Sequence, residues 1–577
     1  MASHASQSKT ADDDNYKWVV LSNTTLGMLA AAINSSILLI SLPAVFRGIG
    51  LKALDPGNIN YLLWAIIGYM ISVAVLVVAF GRLGDQFGRV KMYNLGFAVF
   101  TASSVALSLL PGQGDFAAIY LITVRIIQGV GGALIMANST AILTDVFPPH
   151  QRGLALGINV VAAIGGQFVG LLIGGLLADT NWRLVFWINV PFGLIGTIWA
   201  YWKLREIPNR VSHKIDWTGN ITFGLGLILI LTAITYGIQP YGDQVMAWLS
   251  PKVLILFGLG ILSLLIFIVA ERRIEKPMLD FHLFQIPAFA YGNIANLTSA
   301  IARGGLQFML IIWLQGIWLP LHGYSFEETP LWSAIFMLPL TAGFLLGGPI
   351  AGYFSDRIGG MPFAIGGMLL GAASFVALMV LPSDFSYLLF ATLLFGNGLG
   401  SGLFVAPNAT QIMNSVPKRE RGQASGMRAT TTNAGQVLSI GLFFSLMLVG
   451  LAQELPQSME AGLLAEHVPA EIAHQVAATP PVASLFAAFL GYNPMGELIP
   501  PTVLQSLPPE SVAALTGKSF FPALMSAPFK HGLLYAFSFS AILYLLAALC
   551  SWRGGSDIVE ETAELAIPEK RRASAMK

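Results

Sequence analysis

The chain has 577 residues, of which 55% are hydrophobic and 11% charged, and its mean hydropathy is +0.69. So apolar a composition excludes an ordinary soluble protein of this size and predicts one that lives in a bilayer. The net charge of +1 says little by itself, while the single cysteine, Cys550, excludes an intrachain disulfide and any cysteine-cluster metal site.

Residues 1–17 are polar and lack the charged-then-apolar-then-cleavable pattern of a secretory signal, so they read as a tail before a retained first helix. A spanning helix needs about 20 mostly apolar residues. Fourteen such segments follow, near 18–43, 59–80, 92–110, 116–144, 153–178, 183–203, 217–238, 252–270, 289–313, 331–353, 361–381, 385–414, 423–450 and 531–552. Between the last two, residues 451–530 form a connection far longer than packed helices need, punctuated by Pro456, Pro469, Pro480, Pro481, Pro500, Pro501, Pro508, Pro509, Pro522 and Pro528. Its most apolar piece, VASLFAAFLGY, is too short to span. It is expected as a lid on the outer mouth or a helix on the membrane surface, with a passive spacer or a partner site as alternatives. The tail 553–577 reads as a short solvated helix or disorder.

Orientation follows from where lysines and arginines fall. With the N-terminus inside, the cytoplasmic segments hold Lys9, Lys17, Arg82, Arg89, Lys91, Arg152, Lys203, Arg205, Arg210, Arg272, Arg273, Arg357, Lys418, Arg419, Arg421 and Arg553, against Arg47, Lys52, Arg183, Lys252, Lys518 and Lys530 outside. Both termini are therefore expected in the cytoplasm, and 451–530 outside.

The chain also repeats itself. GRLGDQFGRVK, Gly81 to Lys91, is echoed by GYFSDRIGG, where Gly352, Asp356 and Gly359 reproduce the spacing of Gly81, Asp85 and Gly88. Gly132 to Asn138 pairs with Gly402 to Asn408, and Arg152, Gly153, Ala155, Gly157, Gly166 and Gln167 recur as Arg421, Gly422, Ala424, Gly426, Gly435 and Gln436. Close helix packing explains repeated glycines, but not matched Asp, Arg, Asn and Gln. The expectation is an all-α membrane fold of two parallel six-helix repeats, 18–203 and 289–552, with two helices inserted at 217–270. Parallel repeats suit a transporter in which one half rocks against the other around a midplane site.

Gly81, Arg82, Asp85, Gly88 and Arg89 resemble the signature between the second and third helices of the major facilitator superfamily, which acts there as a cytoplasmic gate. LITVRIIQGVGGA resembles its fourth-helix signature, whose arginine, here Arg125, is implicated in proton transfer. Gly166, Gly170, Gly174 and Gly175 resemble the antiporter glycine motif of the fifth helix, with Leu171 where that signature has proline. With fourteen spans, the resemblance is to the drug:proton antiporter branch of the EmrB/QacA type. It implies a major facilitator fold and a secondary active transporter, not an enzyme, exporting small amphipathic molecules by proton antiport from the plasma membrane. A facilitator, or a transporter of anions or polar metabolites, is the alternative; a membrane sensor or a membrane-embedded enzyme is the alternative of another class. The expected partners are a small-molecule substrate, a proton or other ion, and the lipid bilayer. No cofactor, metal or nucleic acid is expected, and a monomer is the expected unit.

The interior charges bear on coupling. No predicted span holds an Asp or Glu, and Asn34 stands where the branch commonly carries an aspartate. Coupling is then expected at Asp85 or Asp145, or is absent. Arg125, Arg303 and Arg428 lie inside spans without a nearby acid, which favours anionic or electron-rich substrates. A helix-tying role for Arg125, and snorkelling of Arg428 to the surface, stay open. Asn34, Asn138, Gln167, Asn296, Gln307, Asn397, Asn408 and Gln436 either line the cavity or join helices.

Overall fold

The structure is a computed structural model that describes residues 2–51, 58–148, 151–206, 216–242, 244–274, 277, 280–417 and 420–554. Among the described residues there is no β-strand, and 14 helices are long and apolar enough to cross a membrane. They are α1 (Asn15–Gly48), α2 (Asn58–Val77, continuing as helix to Phe87), α3 (Arg89–Ser108), α4 (Gly114–Val146), α5 (Ala155–Ala178), α6 (Leu184–Lys203), α7 (Thr218–Gly237), α8 (Pro251–Glu271), α9 (Pro287–Leu321), α10 (Thr329–Ser355), α11 (Met361–Val380), α12 (Tyr387–Asn414), α13 (Gln423–Ala465) and α14 (Phe520–Gly554). Ser250 and Asp216 cap the starts of α8 and α7 by accepting from Val253 N and Gly219 N. α8 packs on α7 and leaves Leu254, Leu259, Leu262, Leu265 and Val269 exposed, the side lipid covers.

Small residues set the packing, because helices in lipid gain most from close backbone approach. A Cβ on Gly166 of α5 would lie 2.8 Å from Leu29 O of α1, and one on Gly174 would lie 2.7 Å from Ile37 O. In the second half a Cβ on Gly435 of α13 would lie 3.1 Å from Leu297 O of α9, and Ser439 donates to Ile301 O. α4 meets α2 with Gly129 against Tyr69 O, as α12 meets α10 with Gly398 against Leu340 O. The duplication is thus visible contact by contact, with one correction. Gly129 pairs with Gly398, and Gly131, against Gly96 O, pairs with Gly400, against Gly367 O. In this register Asn138 stands opposite Pro407, not Asn408, one residue from the pairing the letters suggest.

The two ends of the molecule differ. On the side of the 451–530 connection, a single buried cluster joins both halves, with Leu38 and Ile40 of α1, Leu171 of α5, Leu310 of α9 and Phe444 of α13. Gln315 donates to Ile40 O at 3.3 Å across the halves, and a Cβ on Gly175 would lie 2.7 Å from Leu331 Cα. At the end carrying Gly81–Lys91 the clusters are separate. One holds Val20, Tyr93, Phe97, Leu143 and Phe147 of the first half, another Leu283, Phe289, Ile412, Val416 and Met427 of the second. Side chains added at Gly157 and Gly426 there would meet nothing within 4 Å. The halves are shut at one end and parted at the other.

The long connection is more ordered and shorter than expected. α13 runs through Pro456 to Ala465 and α14 starts at Phe520. Between them, helices Ala470–Ala477, Pro481–Leu490, Pro501–Ser506 and Pro509–Thr516 each begin at or just after a proline. Proline suits a helix's first turn, where its missing N–H removes no bond. Every residue of Pro481–Leu490 is buried, and Phe486 and Phe489 lie 5.5 and 5.2 Å from Phe444 and Phe308. This helix is a plug on the shut end, not a surface helix. The extension of α13 and α14 also places Glu454 and His531 inside long helices and bonds them to each other, an acid–histidine pair that the expected loop boundaries hid.

Candidate functional site

In the first half the polar residues of five helices converge. Asn34 of α1 donates from Nδ2 to Gln128 Oε1 of α4 at 3.1 Å and accepts at Oδ1 from Asn189 Nδ2 of α6 at 3.1 Å. Arg125 donates from Nη1 to Gln128 Oε1 at 2.9 Å and stacks 4.6 Å from the Tyr69 ring of α2. Gln128 donates in turn to Ser104 Oγ of α3 at 2.9 Å. All five of Asn34, Ser104, Arg125, Gln128 and Asn189 are buried. Arg125 makes no ion pair among the described residues, and its Nε and Asn189 Oδ1 lack a hydrogen-bond partner. Burying a guanidinium without a counter-charge is costly, and here only neutral oxygens and a ring face offset it. Asn189 and Ser104 escaped the sequence reading because nothing in an isolated Asn or Ser marks it as joining a network on other helices.

Among the described residues the second half has no such network. Arg303 of α9 sits 5.2 Å from the Phe344 ring of α10 and makes no hydrogen bond or ion pair among the described residues. Packing equivalence of α1 and α9, Ile33 O with Ile301 O, aligns Arg303 with Ser35; both are half-buried, Ser35 between buried Asn34 and Ser36 and Arg303 beside buried Ala302. Behind them, Tyr544 OH and Ser401 Oγ share a 2.9 Å bond. Arg428 is half-buried, eight residues or about 12 Å of helix nearer the parted end than Gln436. Gln167 is exposed one turn before Leu171, which belongs to the cluster joining the halves, so it faces the space between them. Four of the other amides are helix ties, while Gln307 and Gln436 are half-buried. Asn138 donates to Leu134 O and Phe80 O, Asn397 to Gly371 O, Asn408 to Gly292 O, and Asn296 to Arg428 O, Thr431 Oγ1 and Thr432 Oγ1.

At the parted end, Arg89 clamps three helices. It bonds Asp85 Oδ1 at 2.7 Å, Asp145 Oδ1 at 2.6 Å and Ala141 O at 3.0 Å. Arg82 donates to Pro277 O at 2.5 Å, tying α2 to the segment after α8. Burial pulls the Arg82 pKa down from its ordinary value, against the attraction of Glu271, Asp216 and Asp85. The three glycines of the stretch do not share the turn. Gly88 makes it, at φ +110 with a Cβ position 2.8 Å from the Glu206 carboxylate, which accepts from Lys91 N. Gly84 approaches Asn138, and Gly81 lies in open helix with nothing within 4 Å. Gly352 is likewise open, and Gly359 closes α10's helix at φ +84. The Asp356 side chain lies outside the described residues. Glu206 escaped the sequence reading; its carboxylate sits at the start of α3, where the helix dipole favours it, in the space a Cβ on Gly88 would fill.

A model of the Major Facilitator Superfamily matches residues 24–440. The chain belongs to this superfamily. Similar members include the riboflavin transporter RibZ of Clostridioides difficile (strain 630), 27% identical over 439 residues, covering 75% of this chain and 89% of that one. The tetracenomycin C resistance and export protein of Streptomyces glaucescens is 27% identical over 478 residues, covering 81% and 84%. Among solved structures, a bacterial homolog of the human lysosomal transporter Spinster, inward-facing and unoccupied, superposes with a TM-score of 0.55 at 16% identity, covering 94% and 99%. The xylose transporter XylE from E. coli, inward open, gives 0.52 at 13%, covering 96% and 100%. The chain is therefore a multi-pass membrane transporter of the major facilitator fold, a secondary transporter for a small-molecule substrate.

Proposed function

We propose that this major facilitator exports small amphipathic molecules from the cytoplasm across the plasma membrane by alternating access. The carrying observation is the asymmetry of closure: one buried cluster joins the halves at the plugged end, and two separate clusters part them at the Gly81–Lys91 end. The excess of Lys and Arg at the parted end supports a cytoplasmic location for it and for both termini, so the state is loaded from inside. The relatives that are named for multidrug resistance or for tetracenomycin C resistance and export support the direction. In this reading Arg89, Asp85 and Asp145 are gate residues whose bonds exchange as the parted end closes, with Gly352, Asp356 and Gly359 their counterparts.

Proton antiport is what the branch implies. The lack of an acid within the apolar runs of the spans favours a second reading, a facilitator that moves its substrate down the substrate's own electrochemical gradient. Inside-out vesicles containing the chain test the function: chain-dependent uptake of cationic, neutral or anionic fluorescent amphiphiles is expected, and is lost in Gly175→Val, which wedges the plugged end. Uptake indifferent to the chain for every compound overturns it. Proton release on substrate addition, recorded in the same vesicles, decides between the two readings.

A further inference from the structure

We infer that the space between the halves beside Arg303 and Arg428 is an anion site, and that the transported molecule carries a carboxylate or similar negative group beside an aromatic body. This rests on the transport reading above and names its substrate class. The apolar runs of the spans hold no Asp or Glu, and the acids of the longer helices, Asp115, Asp145, Glu271, Glu454 and Glu460, lie at or beyond the ends of those runs, whereas Arg303 and Arg428 stand half-buried within them with no hydrogen bond or ion pair from their side chains among the described residues. A guanidinium kept in a low-dielectric site without a partner attracts an anion strongly, because the ligand supplies the missing counter-charge.

The two arginines are arranged in depth. Arg428 lies toward the parted end, and Arg303, beside Gly304, packs at the level of Gln436 O, a separation of about 12 Å along α13. An anion entering from the open end therefore passes Arg428 before reaching Arg303. At Arg303 the Phe344 ring lies 5.2 Å from the guanidinium, offering a surface for an aromatic body whose acid group pairs with the arginine. Gln167, exposed on the facing half, adds a neutral donor and acceptor. A cationic substrate finds no carboxylate there.

Arg125 is excluded from this role. It is fully buried behind Asn34 and Gln128, and its Nη1 is already committed to Gln128. The anion site is thus on the second half, and the neutral network on the first.

The full-length purified chain in proteoliposomes tests this with anthracene carboxylate, its neutral amide and its ammonium analogue, measuring tryptophan quenching for binding and fluorescence for flux. The expected result is that the carboxylate binds about tenfold or more tightly than the ammonium compound, and that Arg303→Gln removes this preference while Arg303→Lys keeps most of it. Thermal melts of each variant separate a lost site from a lost fold. Equal or tighter binding of the ammonium compound, with its flux intact, overturns the anion site and leaves transport standing. Failure of all three compounds to bind or move overturns both readings together.

Discussion

Asn34 decides how this transporter differs from the branch it resembles. Its amide gives one hydrogen bond to Gln128 and accepts one from Asn189, so the site is satisfied without a proton to gain or lose. Asn34→Asp puts a buried carboxylate into the network that contains Arg125, which favours its ionised form. The prediction is flux that acquires dependence on an imposed pH gradient; flux unchanged by the gradient would place coupling elsewhere. Arg125→Ala removes a charge-assisted bond of about 1.5–3 kcal/mol and leaves Gln128 Oε1 one donor short, so transport should fall at least tenfold. The glycines of the gate separate cleanly. Gly88→Ala meets both a φ of +110 and the Glu206 carboxylate, and should cost about 1–3 kcal/mol, read as a lowered melting temperature. Gly81→Ala should leave stability unchanged or raise it by up to about 1 kcal/mol, since helix prefers alanine and the space is open. If that variant is stable but inactive, Gly81 serves the state in which the parted end closes.

At the scale of elements, the plug Pro481–Leu490 holds the shut end. Its Phe489 packs on Phe308 of α9, and Phe486 on Phe444 of α13. Phe489→Ala should weaken that closure by about 3–5 kcal/mol and raise the outward-open population. Labelling of a cysteine introduced at Gln315, in a Cys550→Ser background, measures it: faster labelling is expected, and an unchanged rate would make the plug passive. How much of this was readable follows from element chemistry. The spans were legible because lipid demands about 20 apolar residues in a row, a signal no other environment imposes. The ends of α13 and α14 were not, because Leu451–Ala465 and Phe520–Lys530 stand beyond the apolar run and are held by packing, with Pro456 and Pro528 tolerated inside helices. The plug's proline pairs mark its helix starts, but burial of VASLFAAFLG depends on the gap it fills. Arg125 was legible as a buried charge; Ser104 and Asn189, which bond its neighbours Gln128 and Asn34, required the fold.

For the whole molecule, the arginines and the missing acids point the same way. An anion leaving a cell with a negative interior is driven outward by about 2.3 kcal/mol per charge for each 100 mV. A carrier with unpaired arginines between its halves and no acid within its apolar runs can use that force without exchanging protons. Under the proposed facilitator reading, the neutral network around Asn34 and the Arg89 clamp serve closure of the two ends rather than proton movement.

The most direct measurement is flux of anthracene carboxylate in proteoliposomes, with membrane potential set by potassium and valinomycin and the pH gradient set independently. The account predicts flux that follows the potential, persists when the pH gradient is collapsed and moves no protons. Flux that needs the pH gradient and carries protons across the membrane would contradict it.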